Sequence, residues 1–153
     1  ETLNLAIGQG ANSQTVANMA KFYTALATEG TSSTPQLVAK KLEQKKIINL
    51  SAEQFAGLRR AMAGVTSSGG TAASANIQGL VIAGKTGSAQ NAQNPNKDHA
   101  WFVGFAPAEN PKIVVAVFLE YGIHGYFAAR VASKIIGHYL GFGGEVIANT
   151  EGG

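Results

Sequence analysis

Residues 79–90 read Gly-Leu-Val-Ile-Ala-Gly-Lys-Thr-Gly-Ser-Ala-Gln, and this stretch admits two interpretations. Taken literally, Gly79–Thr86 matches a phosphate-binding loop, in which four residues separate the first two glycines and Lys-Thr follows. A phosphate loop needs flexible backbone between its glycines, but Leu80–Ala83 are residues that favour an extended chain. It should also open a helix, whereas Gly87 and an Asn- and Gln-rich loop come next. The stretch therefore predicts a strand.

The second interpretation makes Ala83–Ser88 the edge of a sheet that lines a cleft. Lys85 supplies a fixed positive charge, and the hydroxyls of Thr86 and Ser88 are two residues apart, on one face of an extended chain. Gly87 has no side chain, so a ligand backbone can approach closely. Together these residues would hold a ligand carboxylate and pair with an extended peptide.

The rest of the chain supplies the elements that would surround this strand. Apolar strands are predicted at 100–106 and 112–121, and short turns between three consecutive strands favour an antiparallel meander. Helical spacing of apolar residues predicts helices from 13 to 29, from Ser51 onward and at 126–140. The order of elements predicts an α+β fold, an antiparallel sheet flanked by helices.

Local signals refine the ends of these elements. Ser13 or Asn12 can cap the first helix, and Gly30 lies where a left-handed residue usually follows a helix. Ser51 and Gln54 have the spacing of a capping box. Short strands at 36–42 and 45–49 are predicted to form a hairpin, and residues 66–76 have the composition of a loop.

Composition excludes several classes of function. The chain has 153 residues, which suggests one domain or part of one, and only 14% are charged. It has no cysteine, which excludes disulfides and thiolate chemistry. The histidines share no metal-ligand spacing, so we expect neither metal nor cofactor. One cluster of lysines is better explained as a solvated strand or turn than as a nucleic-acid-binding patch. It consists of Lys40, Lys41, Lys45 and Lys46. We therefore expect no nucleic-acid binding.

Several blocks of sequence resemble the transpeptidase domain of class B penicillin-binding proteins, in the order of that family. Residues 83–90, Ala-Gly-Lys-Thr-Gly-Ser-Ala-Gln, are close to the family's AGKTGTAQ, and its Lys-Thr-Gly motif is well known. Further similarity lies at Leu5–Gly10, Gly69–Ala72 and Asp98–Pro107. The resemblance implies a penicillin-binding-protein or serine β-lactamase-like fold. It implies that the chain is the C-terminal half of that domain, with residues 1–140 as the C-terminal portion of the domain and residues 141–153 as a Gly-rich C-terminal tail.

The resemblance also implies a mechanism and a location. In this family a serine attacks the D-alanyl-D-alanine of a peptidoglycan stem peptide, and β-lactams imitate that donor. Lys85 would hydrogen-bond the serine of a Ser-x-Asn motif and assist proton transfer. The hydroxyls of Thr86 and Ser88 would bind the ligand carboxylate, and the Ser88 N–H would be an oxyanion-hole donor. The parent protein would be periplasmic, held at the inner membrane by an N-terminal anchor that this chain lacks.

The nucleophile of that mechanism is missing from the sequence. No lysine has a serine or threonine three residues before it, so the chain has no Ser-x-x-Lys motif. Ser74-Ala75-Asn76 spells Ser-x-Asn, but it directly precedes the Lys85 strand, whereas the family's motif lies far upstream.

We therefore expect a chain that is inactive alone and has a complementary N-terminal half with Ser-x-x-Lys and Ser-x-Asn as its partner. The sheet face and helices that pack on that half should be exposed. Two alternatives stay open: a non-catalytic half-domain that binds peptide or a partner protein, and a relative of serine β-lactamases or D,D-carboxypeptidases.

Overall fold

The computed structural model describes residues 2–38, 41–91, 93–94 and 97–142. Within these ranges the helices and strands follow one another along the chain in this order: α1 Thr2–Ala6, α2 Val16–Ala27, β1 Thr31–Ser32, β2 Lys45–Lys46, α3 Ala52–Ala63, a 3-10 turn Ala73–Ala75, β3 Ala83–Ala89, β4 His99–Ala106, β5 Ile113–Leu119 and α4 Gly125–Leu140.

The main sheet is the predicted antiparallel meander, with strand order β3-β4-β5. Lys85 is opposite Val103 and Gly87 is opposite Trp101. The strand predicted to begin at Leu80 starts later, at Ala83, and contains the whole Lys-Thr-Gly motif. The chain turns just before it, because Gly79 has a positive φ of 78° and Ile77 bridges Leu80.

Helices cover both faces of this sheet, as the α+β prediction required. On one face, small residues of α4 such as Ala128 and Ala132 pack with Phe102 in a buried cluster. On the other face, Tyr23 of α2 packs with Val103 and other sheet residues. Large apolar side chains of the strands thus meet small residues of α4, which lets the helix lie close to the sheet.

The helix predictions are confirmed, with small corrections at the ends. The last helix was predicted at 126–140 and spans Gly125–Leu140. Ser51 caps α3, and its side chain and that of Gln54 form both bonds of the capping box. The cap of α2 is Thr15, whose hydroxyl accepts from the Asn18 N–H at 3.1 Å, and not Ser13 or Asn12.

The predicted hairpin of residues 36–42 with 45–49 is wrong. Over the described part of this segment, Lys45–Lys46 pairs instead with Thr31–Ser32. The cause is Gly30, whose φ of +100° reverses the chain after α2. Its carbonyl then accepts from the N–H groups of Ile47 and Ile48, which places the lysine pair beside residues 31 and 32.

Exposed apolar surface is extensive and lies partly on helices, as expected: Val131, Ile135 and Tyr139 of α4 are 40%, 45% and 63% exposed. The expected exposed sheet face is not seen in the described ranges, because helices cover both faces of the main sheet. Elsewhere, Leu3 in α1 and Ile7 just after it are 83% and 74% exposed. Of the predicted tail at 141–153, the structure describes residues 141 and 142. Among the helices that the structure describes, none has the length and apolar character to cross a membrane.

Candidate functional site

The outer edge of β3 has no neighbouring strand within the described residues and forms the wall of a groove. The groove has a volume of about 720 Å³. All four residues predicted for the site line it: Lys85, Thr86, Gly87 and Ser88.

These four residues lie on both faces of the strand. Residues paired across a sheet share a face, so Lys85 lies on the side of Val103 and Thr86 on the side of Phe102. Side chains of an extended chain alternate, which places Ser88 with Thr86. The groove therefore wraps around the free edge of β3. The Lys85 side chain lies on one face of the strand, and the hydroxyls of Thr86 and Ser88 lie on the other.

Lys85 is exposed, and its ammonium donates to its neighbour's carbonyl, Thr86 O, at 2.7 Å. Across the described residues the structure shows one ion pair, Arg59 with Glu29 at 3.3 Å, so no carboxylate neutralises Lys85 there. An ammonium has three N–H donors, so the bond to this carbonyl leaves it further donor capacity for a ligand.

The Thr86 hydroxyl has a partner that the sequence did not reveal. Its oxygen lies 2.9 Å from the hydroxyl oxygen of Thr71, and either group can donate. Thr71 also lines the groove. It follows Gly69-Gly70, which the family resemblance had marked as a loop before the strand without assigning a role to Thr71.

The backbone of Ser88 points to the free edge. Its carbonyl accepts a hydrogen bond at 3.0 Å from the side chain of Gln9, which lies off the sheet. In an antiparallel strand the N–H and C=O of one residue point to the same edge. The Ser88 N–H is therefore directed into the groove, the geometry that an oxyanion donor needs.

The N-terminus of α4 closes the groove beside β3. A Cβ on Gly125 would lie 2.9 Å from both the N and O atoms of Gly87, so only a glycine allows this approach. The first turn of a helix carries partial positive charge. Here that charge adds to Lys85 next to Thr86 and favours an anion in the groove.

The turn from β5 into α4 forms the rim of the groove. His124 and Tyr126 line the groove, and their rings lie 5.6 Å apart in a stacked arrangement. Tyr121 and Ile123 have positive φ angles of 57° and 63°, which strains the backbone of non-glycine residues. His124 thus belongs to the groove wall.

The floor of the groove is apolar, with one phenol. Met19 and Tyr23 of α2 lie there with Trp101 and Val103 of β4. Burial raises the pKa of the Tyr23 phenol above its ordinary value. Tyr23 therefore remains a neutral phenol to a higher pH than an exposed tyrosine does.

Other residues considered from sequence lie outside the groove lining. Ser74 is exposed in the 3-10 turn, and Asn76 donates to Thr66 O at 3.2 Å. This bond gives Asn76 a structural role and agrees with the interpretation of Ser74-Ala75-Asn76 as a coincidence. His99 accepts at Nδ1 from the Tyr121 N–H at 3.2 Å, so it supports the β5–α4 turn.

Comparison with known proteins shows the class to which this fold and groove belong. Residues 1–138 match the family model of the penicillin binding protein transpeptidase domain. The chain therefore belongs to the penicillin-binding-protein transpeptidase family.

Two relatives illustrate the similarity in sequence. The chain is 32% identical over 164 aligned positions to peptidoglycan D,D-transpeptidase MrdA of Acinetobacter baumannii, covering 92% of this chain and 24% of that protein. It is 37% identical over 135 positions to the probable peptidoglycan D,D-transpeptidase PenA of Neisseria gonorrhoeae, covering 80% and 22%. The chain thus spans about a quarter of the length of these relatives.

Solved structures show the same fold. Penicillin-binding protein PBP2 of Helicobacter pylori superimposes with a TM-score of 0.79 and 30% identity, over 92% of this chain and 27% of that one. Penicillin-binding protein A of M. tuberculosis, in an imipenem acyl-enzyme complex, gives a TM-score of 0.77 with 27% identity, over 90% and 33%. The α+β fold inferred from the sequence is thus that of penicillin-binding transpeptidase domains.

Proposed function

We propose that this chain forms the ligand-carboxylate side of a serine D,D-transpeptidase site, which becomes active when a segment with the nucleophile completes it. The observation that carries the proposal is the groove at the free edge of β3. Lys85, both hydroxyls and the Ser88 N–H meet there, beside the N-terminus of α4. Their donors and positive charge suit a peptide's terminal carboxylate together with the carbonyl that precedes it.

Each residue then has a distinct task. The hydroxyls of Thr86 and Ser88 bind the carboxylate of a D-alanyl-D-alanine terminus or of a β-lactam. Gly87, with no side chain, lets the ligand lie against the strand. The Ser88 N–H stabilises the oxyanion that forms when the serine attacks, a contribution of roughly 10²–10³ in rate.

Lys85 contacts the complementary segment that carries the other half of the site. Its exposed ammonium would hydrogen-bond the serine of a Ser-x-Asn motif on the complementary segment and assist proton transfer to the leaving group. Because the Thr86 carbonyl holds the ammonium at the edge of β3, the cation is available to both the ligand and that segment. The catalytic serine and its lysine come from outside this chain, which has no Ser-x-x-Lys.

The exposed apolar residues support a partner for the N-terminal region. Leu3 lies in α1, a helix with no buried residue, and Ile7 directly follows that helix; both are close in sequence to Gln9, which contacts β3. Large exposed apolar patches mark interaction surfaces.

We assign residues 1–140 to part of the transpeptidase domain and residues 141–153 to a tail. We place the parent protein at the outer face of the bacterial inner membrane, where peptidoglycan is cross-linked.

Labelling with a fluorescent penicillin tests whether the nucleophile belongs to the complementary segment and not to this chain. After incubation and a denaturing gel, we expect no labelled band at 15.8 kDa for the chain alone. Adding a complementary segment that carries Ser-x-x-Lys should produce label on that segment. A covalently labelled 15.8 kDa band would show that the chain has its own nucleophile and would overturn the proposal.

One observation favours a second function, a non-catalytic peptide-binding module. A free strand edge binds extended peptides by main-chain pairing without any nucleophile. The two functions predict different results with the complementary segment present. Labelling of that segment supports the transpeptidase, whereas peptide binding with no acylation supports the module.

A further inference from the structure

The side chain of Gln9 occupies part of the free edge of β3. Its amide nitrogen donates to Ser88 O at 3.0 Å, and its amide oxygen accepts from the Gln90 N–H at 3.4 Å. These partners are 79 and 81 residues away in sequence. One carboxamide thus satisfies two successive outward-facing groups of the strand, as the backbone of a neighbouring strand does.

The backbone around Gln9 holds this side chain in place. Gly8 and Gly10 have positive φ angles of 78° and 73°, which glycine adopts without strain. A Cβ on Gly8 would meet nothing within 4 Å. The positive φ, and not a lack of space for a side chain, therefore explains why a glycine stands at this position. The Gln9 N–H donates to Asn4 O at 2.8 Å, and this bond ties the turn to α1.

The position of Gln9 matters because of the register that the proposed function gives to a bound peptide. A terminal carboxylate at Thr86 and Ser88, with the preceding carbonyl at the Ser88 N–H, makes the ligand antiparallel to β3. In this register the N–H of the residue that carries the reacting carbonyl faces the Ser88 carbonyl, and the carbonyl two residues earlier faces the Gln90 N–H. These are the two groups that Gln9 occupies.

We propose that Gln9 is a specificity-determining residue that competes with the acyl side of the ligand for the edge of β3. A ligand whose acyl group has no N–H beside the reacting carbonyl leaves the Gln9 bonds intact. A longer peptide must displace the carboxamide before it pairs with residues 88–90. The inference rests on the proposed function, because that function sets the register.

The test compares two ligands binding to the 153-residue chain: propanoyl-D-Ala, whose acyl group ends near the reacting carbonyl and has no N–H, and an acylated tripeptide that ends in D-Ala-D-Ala. We expect Gln9→Ala to bind the tripeptide about threefold to tenfold more tightly, because it loses two competing hydrogen bonds of modest net strength. Affinity for the short ligand should not change. Gln78→Ala removes the same side chain from an exposed position outside the groove lining and should change neither affinity.

The outcomes separate this inference from the proposed function. If both ligands bind but Gln9→Ala changes neither affinity, weakens either ligand or changes both equally, the role of Gln9 is refuted and the groove assignment stands. If neither ligand binds the wild-type chain, both fail. Amide hydrogen exchange gives a second readout without ligand: Gln90 should exchange faster in Gln9→Ala, and unchanged protection would contradict the contact itself.

Discussion

The hydroxyl oxygens of Thr71 and Thr86 lie 2.9 Å apart, at the junction between a loop and the free edge of β3. A carboxylate only accepts hydrogen bonds, so a bound anion requires Thr86 to donate to it. Thr71 must then donate to Thr86. The pair thus forms a short relay in which one hydroxyl orients the other toward the groove.

Replacing Thr71 tests this relay. Thr71→Val keeps the shape of the side chain but removes the hydroxyl, so Thr86 loses the donor that directs its own proton outward. We expect binding of a D-alanyl-D-alanine peptide to weaken about fivefold, which corresponds to one hydrogen bond of about 1 kcal/mol. An NMR titration measures the affinity. Thr71→Ser keeps the hydroxyl and should retain most of the binding, and equal losses in both variants would argue against the relay.

The contact between α4 and β3 predicts the effect of a single methyl group. Gly125→Ala would place a Cβ 2.9 Å from the backbone of Gly87 and from the Cβ of Thr86, so the helix or the strand must shift. We expect a loss of about 1–3 kcal/mol in the free energy of unfolding, measured by urea denaturation, together with NMR shift changes at Thr86 and Gly87.

A glycine in open space provides the control for Gly125. Gly57 lies in the interior of α3, and a Cβ there would meet nothing within 4 Å. Gly57→Ala should therefore raise stability by about 0.5–1 kcal/mol through helix propensity alone. If Gly125→Ala were as stable as the wild type, the close approach of α4 to β3 would not hold in solution.

Tyr23 predicts a loss of stability in alkali. Its pKa is raised in the folded chain because the phenol is buried, whereas an unfolded tyrosine has a pKa of about 10. The folded state then retains a proton that the unfolded state releases, so the free energy of unfolding falls as the pH rises above about 10. Below that pH the contribution is constant.

The measurement is urea denaturation at several pH values from 8 to about 11, with Tyr23→Phe as the comparison. The variant should lose stability less steeply above about pH 10 than the wild type does. Tyr139→Phe removes an exposed phenol and serves as the control for the loss of one tyrosine hydroxyl. Identical slopes for wild type and Tyr23→Phe would mean that burial of Tyr23 does not couple folding to its ionisation.

Local sequence signals predicted most of the fold. The apolar period of 126–140 and the capping box of Ser51 reflect interactions within one helix, so they are visible in the sequence. The pairing of Lys45–Lys46 was missed because it depends on Gly30, whose left-handed backbone was predicted but whose effect on the chain direction was not. The alternation of apolar and polar residues along a strand does not by itself determine which strand it pairs with.

The candidate site was predictable in its centre and not at its borders. Lys85, Thr86 and Ser88 are adjacent in sequence, so a single strand brings them together. Gln9 and Thr71 reach the same groove from segments 79 and 15 residues away. Only the tertiary packing of loops against β3 creates those contacts, and no local pattern encodes it.

Binding of a terminal carboxylate at the edge of β3 is tested most directly by an NMR titration of the ¹⁵N-labelled chain with an acylated D-alanyl-D-alanine peptide, as the free acid and as the C-terminal amide. We expect the acid to shift the amide signals of Thr86, Gly87 and Ser88, and the amide, which lacks the negative charge, to shift them far less. Equal shifts with both peptides, or shifts confined to residues outside the groove, would contradict binding of the carboxylate there.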